Sequence, residues 1–322
     1  MIKEVLKRFD SDLTQLSSET GVNKFWYYCD ALMCHLIHGA SPNDYVLCGM
    51  HKASLFERLH YMTMNRAKKV EKVFNPKHIR NIFDEKPMFN EVFNRFVKRG
   101  WVYCQSDADY NRIVDFVKNT PQIIVKPTNR SSGKGIEKVI TATITDMDSF
   151  VRNAISKKLL IEECIKQRSD LMELNPYSVN SLRIYTIRGG GEIKKVHILG
   201  AGLRVGTTTS PVDNMHDNGV YYPIDPETGI IYHRGMDIKG KRYIFHPTIN
   251  KKMLGFQIDK WEEIISFVKA ASEVVPDARY IGWDIAVTEN GCDMIEGNVK
   301  AYIGDLQKYE IKGIYKTIMD YK

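Results

Sequence analysis

The sequence predicts an α+β protein in which a helical N-terminal region is followed by lobes built on antiparallel strands. Apolar residues recur at helical spacing through residues 1–75, which predicts helices. Two pairs of short apolar strands follow, one around a Ser/Gly/Lys-rich loop and one around the turn Asn290-Gly291. We therefore expect four regions: a helical region over 1–78, a small α/β lobe over 79–122, a lid lobe with a glycine-rich flap over 123–170 and a C-terminal lobe over 171–322.

The N-terminal helices carry clusters of aromatic and aliphatic residues, in Phe25–Met33 and around Leu55–Leu59. Stripes of this kind at helical spacing usually face a protein interior, so we predict that they form a core rather than a cofactor pocket. The breaker Asn75-Pro76 is expected to end this region.

The next region begins with a helix start and a strand. Asp84-Glu85-Lys86-Pro87 predicts a helix from Met88 to Lys98, because proline is favoured in a first helical turn. Trp101-Val102-Tyr103 predicts a short strand, and the apolar run Leu159–Ile165, which turns polar at its end, predicts a buried one.

The first strand pair surrounds a loop suited to phosphate. The strand Ile123–Lys126 ends in a lysine, whose ammonium is a point charge for phosphate oxygens. Glycines let a backbone approach phosphate closely, and exposed N–H groups in such a loop form an anion nest. A strand follows instead of a helix, so the loop is predicted to be a flap rather than a Walker loop; an ordinary flexible hairpin is the alternative. The predicted flap residues are Ser131, Ser132, Gly133, Lys134 and Gly135.

The second strand pair places oxygen ligands together. A three-residue loop from Glu289 to Gly291, with Gly291 left-handed, sets Asp284 opposite Glu296. Asn298 lies two residues further, on the same face of its strand. Two carboxylates and an amide oxygen suit Mg²⁺, with Mn²⁺ as the alternative ion. The competing interpretation is a trio of solvated polar residues.

Two arginines lie within apolar strands, where a cation is expected to be paired or functional. Arg183 and Arg204 each offer a planar fork for phosphate or carboxylate, with a structural salt bridge as the alternative. The polar loop 210–219 is too long for a tight turn and suits substrate binding. We assign Asn214 to catalysis with the arginines, and Asp213, His216 and Gly219 to the substrate.

The order of these parts resembles the ATP-grasp superfamily and, within it, the sugar-transfer-associated ATP-grasp proteins, which are linked to polysaccharide biosynthesis. The resemblance covers roughly residues 80–310. It implies an ATP-grasp fold, in which two α/β lobes with antiparallel sheets clasp ATP. Gly219 is followed by Val220, where the family often has paired glycines. Besides the flap and the hairpin, the resemblance rests on Asn180–Thr186, Gly202–Gly206, Val212–Asn214, Ile224–Gly229 and His246-Pro247.

The resemblance also implies nucleotide contacts. Lys86, just before a helix, matches a lysine that reaches the phosphates. Gln167 or Asp170 is the expected ribose contact. The adenine hinge is expected at the end of the strand, at Glu162, Glu163, Cys164 and Ile165.

Composition is that of an ordinary globular chain of 322 residues, 43% hydrophobic and 26% charged. Six cysteines without C-x-x-C spacing predict reduced thiols and a cytoplasmic location. We expect no signal peptide and no membrane span, since no apolar run reaches 18 residues. A net charge of +7 without a nucleic-acid motif predicts a small-molecule or saccharide acceptor rather than nucleic acid, and leaves the oligomeric state open.

The resemblance implies a carboxylate–amine ligase that depends on ATP and Mg²⁺ and acts through an acylphosphate. A sugar or polysaccharide precursor, such as a uronic acid joined to an amino acid, is the expected substrate. An ATP-dependent kinase of a sugar hydroxyl is the alternative, distinguished by an aspartate base for which Asp213 is the candidate. A nucleotide-binding regulatory protein without turnover is the third interpretation.

Overall fold

The computed structural model describes residues 2–128, 135–190, 195–210, 219–309 and 313–322. Its helices are α1 (Ile2–Thr20), α2 (Lys24–His38), α3 (Pro42–Val46), α4 (Leu55–Arg58), α5 (Met64–Phe74), α6 (Arg80–Asp84), α7 (Lys86–Val92), α8 (Tyr110–Asn119), α9 (Met147–Ser156), α10 (Ser169–Met172), α11 (Trp261–Ser272) and α12 (Ile314–Met319). Its strands are β1 (Trp101–Tyr103), β2 (Gln122–Pro127), β3 (Glu137–Ile140), β4 (Leu159–Glu163), β5 (Leu182–Arg188), β6 (Val196–Val205), β7 (Val220–Ile224), β8 (Gly235–Met236), β9 (Arg242–Tyr243), β10 (Tyr280–Thr288) and β11 (Gly291–Asn298).

The N-terminal region is helical, as predicted. The side chain of Asn23 caps α2 by accepting a hydrogen bond from the Phe25 N–H, and Gly39 closes the helix in the left-handed conformation. The region ends after α5, where Asn75 docks it onto the rest of the protein. The Asn75 amide donates to the carbonyl oxygens of Tyr280 at 2.6 Å and Val299 at 2.7 Å.

The first sheet has the order β1-β4-β2-β3, with every pairing antiparallel within the described residues. Helices α8 and α9 pack on it through a core that includes Val102, Ile113, Val151 and Ile161. Because β1 pairs with β4, this sheet crosses the predicted boundary between residues 122 and 123.

The second sheet has the order β11-β10-β5-β6-β7-β8-β9, also antiparallel throughout the described ranges. Its main core is centred on Trp283, which is fully buried and packs edge-on against Phe93. The indole N–H of Trp283 donates to Thr186 Oγ1 at 2.9 Å, so the polar atom of this large side chain is satisfied.

The hairpin β10–β11 has the predicted pair but not the predicted turn. Thr288 pairs with Gly291, so the loop has two residues rather than three. The register then shifts by one residue between Asp284 and Ile285, which restores Asp284 opposite Glu296. A β-bulge on β11 therefore compensates for the shorter turn.

Two local predictions are wrong. The helix predicted from Met88 to Lys98 is α7, Lys86–Val92, because Phe93 leaves the helical conformation with φ −100° and ψ 26°. The Lys98 and Arg99 N–H groups then donate to the Asp293 carboxylate. The aromatic cluster predicted to be core is largely at the surface, with Phe25 73% and Trp26 51% exposed. Within the described residues, no helix combines the length and the apolar character that crossing a membrane requires.

Candidate active site

A cleft of about 1570 Å³ lies between the two sheets. Its walls are formed by residues of β2 and β4 on one side and of β5, β6, β10 and β11 on the other. The segment that follows β11 closes one end of it. The cleft brings together charged side chains that are far apart in the sequence.

One wall carries two lysines. Lys126, on β2, is 8% exposed, and its Nζ lies 2.6 Å from the Glu162 carboxylate on β4. Lys86 is the first residue of α7 and also lines the cleft. Burial lowers the pKa of both side chains, and the pKa of Lys86 falls further because the charge of Lys126 is near. The predicted pair of phosphate-facing lysines is therefore assembled in one place.

Glu162 belongs to a buried ion-pair network that the sequence did not predict. The Arg99 guanidinium donates to Glu162 at 3.0 Å and to Asp293 at 2.8 Å. Burial would raise the pKa of Glu162, but Arg99 and Lys126 hold it well below its ordinary value. This carboxylate therefore stays ionised beneath Lys126 and fixes the position of that ammonium. Arg99 lies in a polar segment without a motif, so no local pattern identifies its role.

The opposite wall carries the predicted oxygen set. Asp284 on β10 lies opposite Glu296 on β11, and the two carboxyl groups interact directly. Arg183 on β5 donates to both oxygens of Asp284, at 2.5 and 2.7 Å, and Arg204 on β6 donates to one of them at 3.0 Å. Both predicted arginines are thus joined to the same predicted metal ligand. Asn298 also lines the cleft.

The pKa values of the two carboxyl groups shift in opposite directions. Burial opposes ionisation of Asp284, yet Arg183 and Arg204 keep its pKa below the ordinary value. The pKa of Glu296 is raised by burial and then by the neighbouring negative charge of Asp284. Glu296 nevertheless remains accessible to water in the cleft.

This donor set fits a hard divalent cation. Two adjacent carboxyl groups and an amide oxygen supply only oxygen ligands, as Mg²⁺ requires. A cation beside Glu296 would also favour its ionised form. No cluster of three His, Cys, Asp or Glu side chains suited to a metal occurs among the described residues.

The predicted hinge is only partly available for a base. The N–H groups of Glu163 and Cys164 donate to the carbonyl oxygens of Gly100 at 2.9 Å and Gln122 at 3.2 Å, so they are used within the fold. Glu163, Cys164 and Ile165 all line the cleft.

The two residues predicted to contact the ribose differ in position. Gln167 lines the cleft, and its buried amide nitrogen donates to the carbonyl oxygens of Asn175 and Ser178. Asp170 is paired with Arg168 at 2.7 Å and does not contribute to the walls of the cleft. The structure therefore does not bring the Asp170 carboxylate to the site.

Several predicted residues fall outside the described ranges: Ser131, Ser132, Gly133, Lys134, Asp213, Asn214 and His216. The borders of these segments are described. Gly135 has a φ of +77°, and Gly219 immediately precedes β7.

The far end of the cleft is rich in tyrosine, which the sequence did not predict. Tyr185, Tyr221, Tyr302 and Tyr309 line it. The buried Tyr221 hydroxyl has no hydrogen-bond partner among the described residues. The four tyrosines come from β5, β7 and the segment after β11, so only the three-dimensional fold brings them together.

Comparisons with known proteins identify one family for this chain. The family model described as sugar-transfer associated ATP-grasp matches residues 65–316. None of the curated protein sequences matches the chain.

Solved structures are also similar. The ATP-grasp ligase PsnB, complexed with precursor peptide PsnA2 and AMPPNP, has a TM-score of 0.47 and 12% identity over 77% of this chain and 61% of that chain. The D-alanine-D-alanine ligase from Coxiella burnetii has a TM-score of 0.42 and 14% identity over 74% and 57%. The VanG D-Ala:D-Ser ligase from Enterococcus faecalis has a TM-score of 0.46 and 10% identity over 74% and 61%. The chain thus spans less than two thirds of the length of these proteins.

Proposed function

Since the chain belongs to the sugar-transfer associated ATP-grasp family, we propose that it is an ATP- and Mg²⁺-dependent ligase that joins a carboxylate to an amine. The predicted family and fold class are confirmed by this membership. One observation carries the proposed activity. The buried Lys126 and the half-buried Lys86 on one wall of the cleft face an Asp284–Glu296 carboxyl pair on the other, in which Asp284 is held by two arginines.

The lysine wall is suited to the ATP phosphates. Lys126 and Lys86 offer two ammonium groups in a partly desolvated cleft, where their attraction to phosphate is strong. Glu162 neutralises part of the charge of Lys126 and orients it. The two lysines therefore hold the nucleotide without requiring an isolated buried charge.

The carboxyl wall is suited to the metal. Asp284, Glu296 and Asn298 would hold Mg²⁺, which neutralises charge on the phosphates when bound. Arg183 keeps Asp284 ionised and in place through two hydrogen bonds. Arg204, partly exposed towards the cleft, would bind the substrate carboxylate.

The proposed reaction has two steps, the formation of an acylphosphate and its capture by an amine. A carboxylate oxygen of the substrate attacks the γ-phosphorus, and the bond from that phosphorus to ADP breaks. The acylphosphate formed is attacked at its carbonyl carbon by the amine, and phosphate leaves with the oxygen that the carboxylate supplied. Lys86, Lys126, Arg183 and Arg204 stabilise the negative charge that moves during these steps.

The tyrosine-rich end supports a saccharide as the acceptor. The aromatic rings of Tyr185 and Tyr302 offer packing surface, and the Tyr221 hydroxyl, which has no partner among the described residues, offers a hydrogen bond. Asp305 and Lys308 add charged groups at the same end. A sugar or polysaccharide precursor that carries a carboxylate or an amine fits these groups.

The test is ATP consumption with Mg²⁺ over a panel of uronic acids, amino acids and nucleotide sugars, with the products resolved by mass. We expect ADP and phosphate together with a condensed product. ADP with a stable phosphorylated acceptor would replace the ligase by a sugar kinase. Nucleotide binding without consumption across the panel would favour a regulatory protein.

A further inference from the structure

The outward face of α2 is apolar along its whole length. Phe25, Cys29, Leu32 and Leu36 follow one another at helical spacing, and all four are exposed. Leu36 is 69% and Leu32 is 58% exposed. The face is completed on its flanks by Trp26, Tyr28, Met33 and Ile37, all exposed.

The orientation of this helix is fixed by its other face. Tyr27, Ala31, Cys34 and His38 are buried against the neighbouring helices. Asp30, at the border of the two faces, accepts two hydrogen bonds from Arg58, at 2.6 and 2.8 Å. The apolar face therefore cannot turn inwards without breaking an ion pair and a core.

The size of the face exceeds what a monomer usually exposes. These eight side chains present on the order of 800 Å², taking about 150–250 Å² for a whole aromatic side chain and less for an aliphatic one. The largest apolar patch on a typical monomer is about 300–600 Å². A standard protein interface removes about 800 Å² from each partner.

We propose that α2 packs against α2 of a second copy of this chain, in a symmetric dimer. In an isologous interface each face meets itself, so any charged residue near the axis would meet its like. The eight side chains of the α2 face carry no charge; the Lys24–Asp10 ion pair beside Tyr28 and the exposed His35 lie at its edge, away from the line of Phe25, Cys29, Leu32 and Leu36. The α2 face can therefore pack against the same face of a second copy, and its area is large enough for a stable dimer.

The same region is poorly suited to a lipid surface. Helices that lie on membranes carry many Lys and Arg residues on the polar face, which attract anionic lipid headgroups. Residues 1–64 contain six Lys and Arg against seven Asp and Glu, a net charge of −1, although the whole chain has +7. The opposite face of α2 is a buried core rather than a basic surface.

The interface lies apart from the ATP-binding part of the chain. Residues 24–38 precede the family match, which begins at residue 65, and none of them lines the cleft. Dimerisation can therefore be tested without ATP turnover. If the ligase proposal fails, the dimer proposal is unaffected.

The test measures the mass in solution by light scattering and sedimentation over about a hundredfold range of protein concentration. The full chain is compared with Leu36→Lys and Leu32→Glu, which place a charge in the middle of the face. Val274→Lys, at an exposed apolar position in the C-terminal lobe, is the matched control. We expect a dimer for the wild type and the control, and a dissociation constant raised about a hundredfold or more in the two α2 variants.

Cys29 provides a second readout that does not depend on any variant. Its thiol is exposed on the α2 face, so a dimer should slow its alkylation at high protein concentration and release it on dilution. Thermal unfolding checks that the variants fold, as expected for substitutions at exposed sites.

A wild type at the monomer mass throughout the range, or α2 variants that remain dimeric, would overturn the proposal. Vesicles of neutral or of anionic phospholipid are added in a separate flotation arm. A monomeric wild type that floats with either vesicle and loses this binding in Leu36→Lys would assign the face to a membrane instead.

Discussion

Asp284 is a buried carboxylate surrounded by other charged groups of the site. Its carboxylate is buried and receives hydrogen bonds from Arg183 and Arg204, while Glu296 lies beside it. Two neighbouring carboxyl groups repel each other once both ionise, and here the arginines keep Asp284 charged while Glu296 has the raised pKa. The proposed divalent cation would offset this repulsion, so Glu296 is the residue that tests the proposed metal site most directly.

We predict that Glu296→Gln lowers ATP turnover at least about a hundredfold, because the amide removes the charge that holds the metal. The fold should be retained, since Glu296 is accessible to water in the cleft. Glu227→Gln, the same change on an exposed turn, is the control. Turnover at the wild-type level in Glu296→Gln would remove the proposed metal site.

Lys126→Ala tests the opposite wall. Loss of the ammonium should weaken binding of a Mg²⁺-bound ATP analogue about tenfold to a hundredfold, the value of one charge-assisted hydrogen bond. Calorimetric titration measures the affinity, with the exposed Lys118→Ala as the control. Unchanged affinity in Lys126→Ala would show that this lysine does not contact the phosphates.

His246 makes stability depend on pH. Burial, assisted by the charge of Lys251, lowers the pKa of this side chain from 6.5 to about 4 in the folded protein. Between these values the unfolded chain binds a proton that the folded protein does not, so stability rises with pH across this window. The loss from pH 6.5 down to pH 4 is at most about 3 kcal/mol.

Denaturant unfolding of the wild type and of His246→Asn, at several pH values across this window, isolates this contribution. The amide oxygen of Asn replaces Nδ1, which accepts a hydrogen bond from the Thr248 N–H. We expect a weaker dependence on pH in the variant. Identical slopes in the two proteins would show that His246 is not the group responsible.

At the scale of elements, the two sheets are joined by the Arg99 network. Arg99 bonds to Glu162 on β4 and to Asp293 on β11, so one buried guanidinium holds a strand of each sheet. The cleft lies between these sheets, and its width therefore depends on this contact.

Arg99→Ala should destabilise the protein by about 3–5 kcal/mol, because it leaves Glu162 and Asp293 buried without their shared partner. Arg152→Ala removes an exposed pair with Asp148 that water and salt screen, so it should change stability far less than Arg99→Ala. Denaturant unfolding compares the two variants. A loss in Arg99→Ala no larger than that in Arg152→Ala would contradict the bridging role.

The hairpin shows what local sequence patterns can predict. Asn290-Gly291 located the turn, and alternation placed Asp284 opposite Glu296. The two-residue turn and the β-bulge were missed, since a bulge depends on packing against neighbouring elements rather than on turn chemistry. The predicted pair nevertheless formed because the two deviations cancel.

At the scale of the molecule, the N-terminal helices brace the tyrosine-rich end of the cleft. Asp44 accepts a hydrogen bond from the Tyr302 hydroxyl, and Gln307 exchanges hydrogen bonds with the backbone of Met62. The helical region therefore packs against the segment that lines this end of the site.

At this scale, the sequence does not predict features that depend on contacts between residues far apart in the chain. Strand patterns singled out Lys126, the two arginines and the oxygen set, whereas Lys86, at a helix start, was expected only from the family resemblance. Arg99 and the tyrosines were missed because distant segments bring them together. The exposure of Phe25 and Trp26 was missed because an apolar helical stripe does not reveal whether it faces a core or a partner.

The central claim is that ATP activates a substrate carboxylate in this cleft. With an acceptor identified in the panel, its carboxylate is labelled with heavy oxygen, and the released phosphate is analysed by mass. We expect one labelled oxygen per turnover to move into phosphate, because the acylphosphate loses the oxygen that the carboxylate supplied. Label retained entirely in the acceptor, with phosphate unlabelled, would contradict carboxylate activation and the ligase assignment.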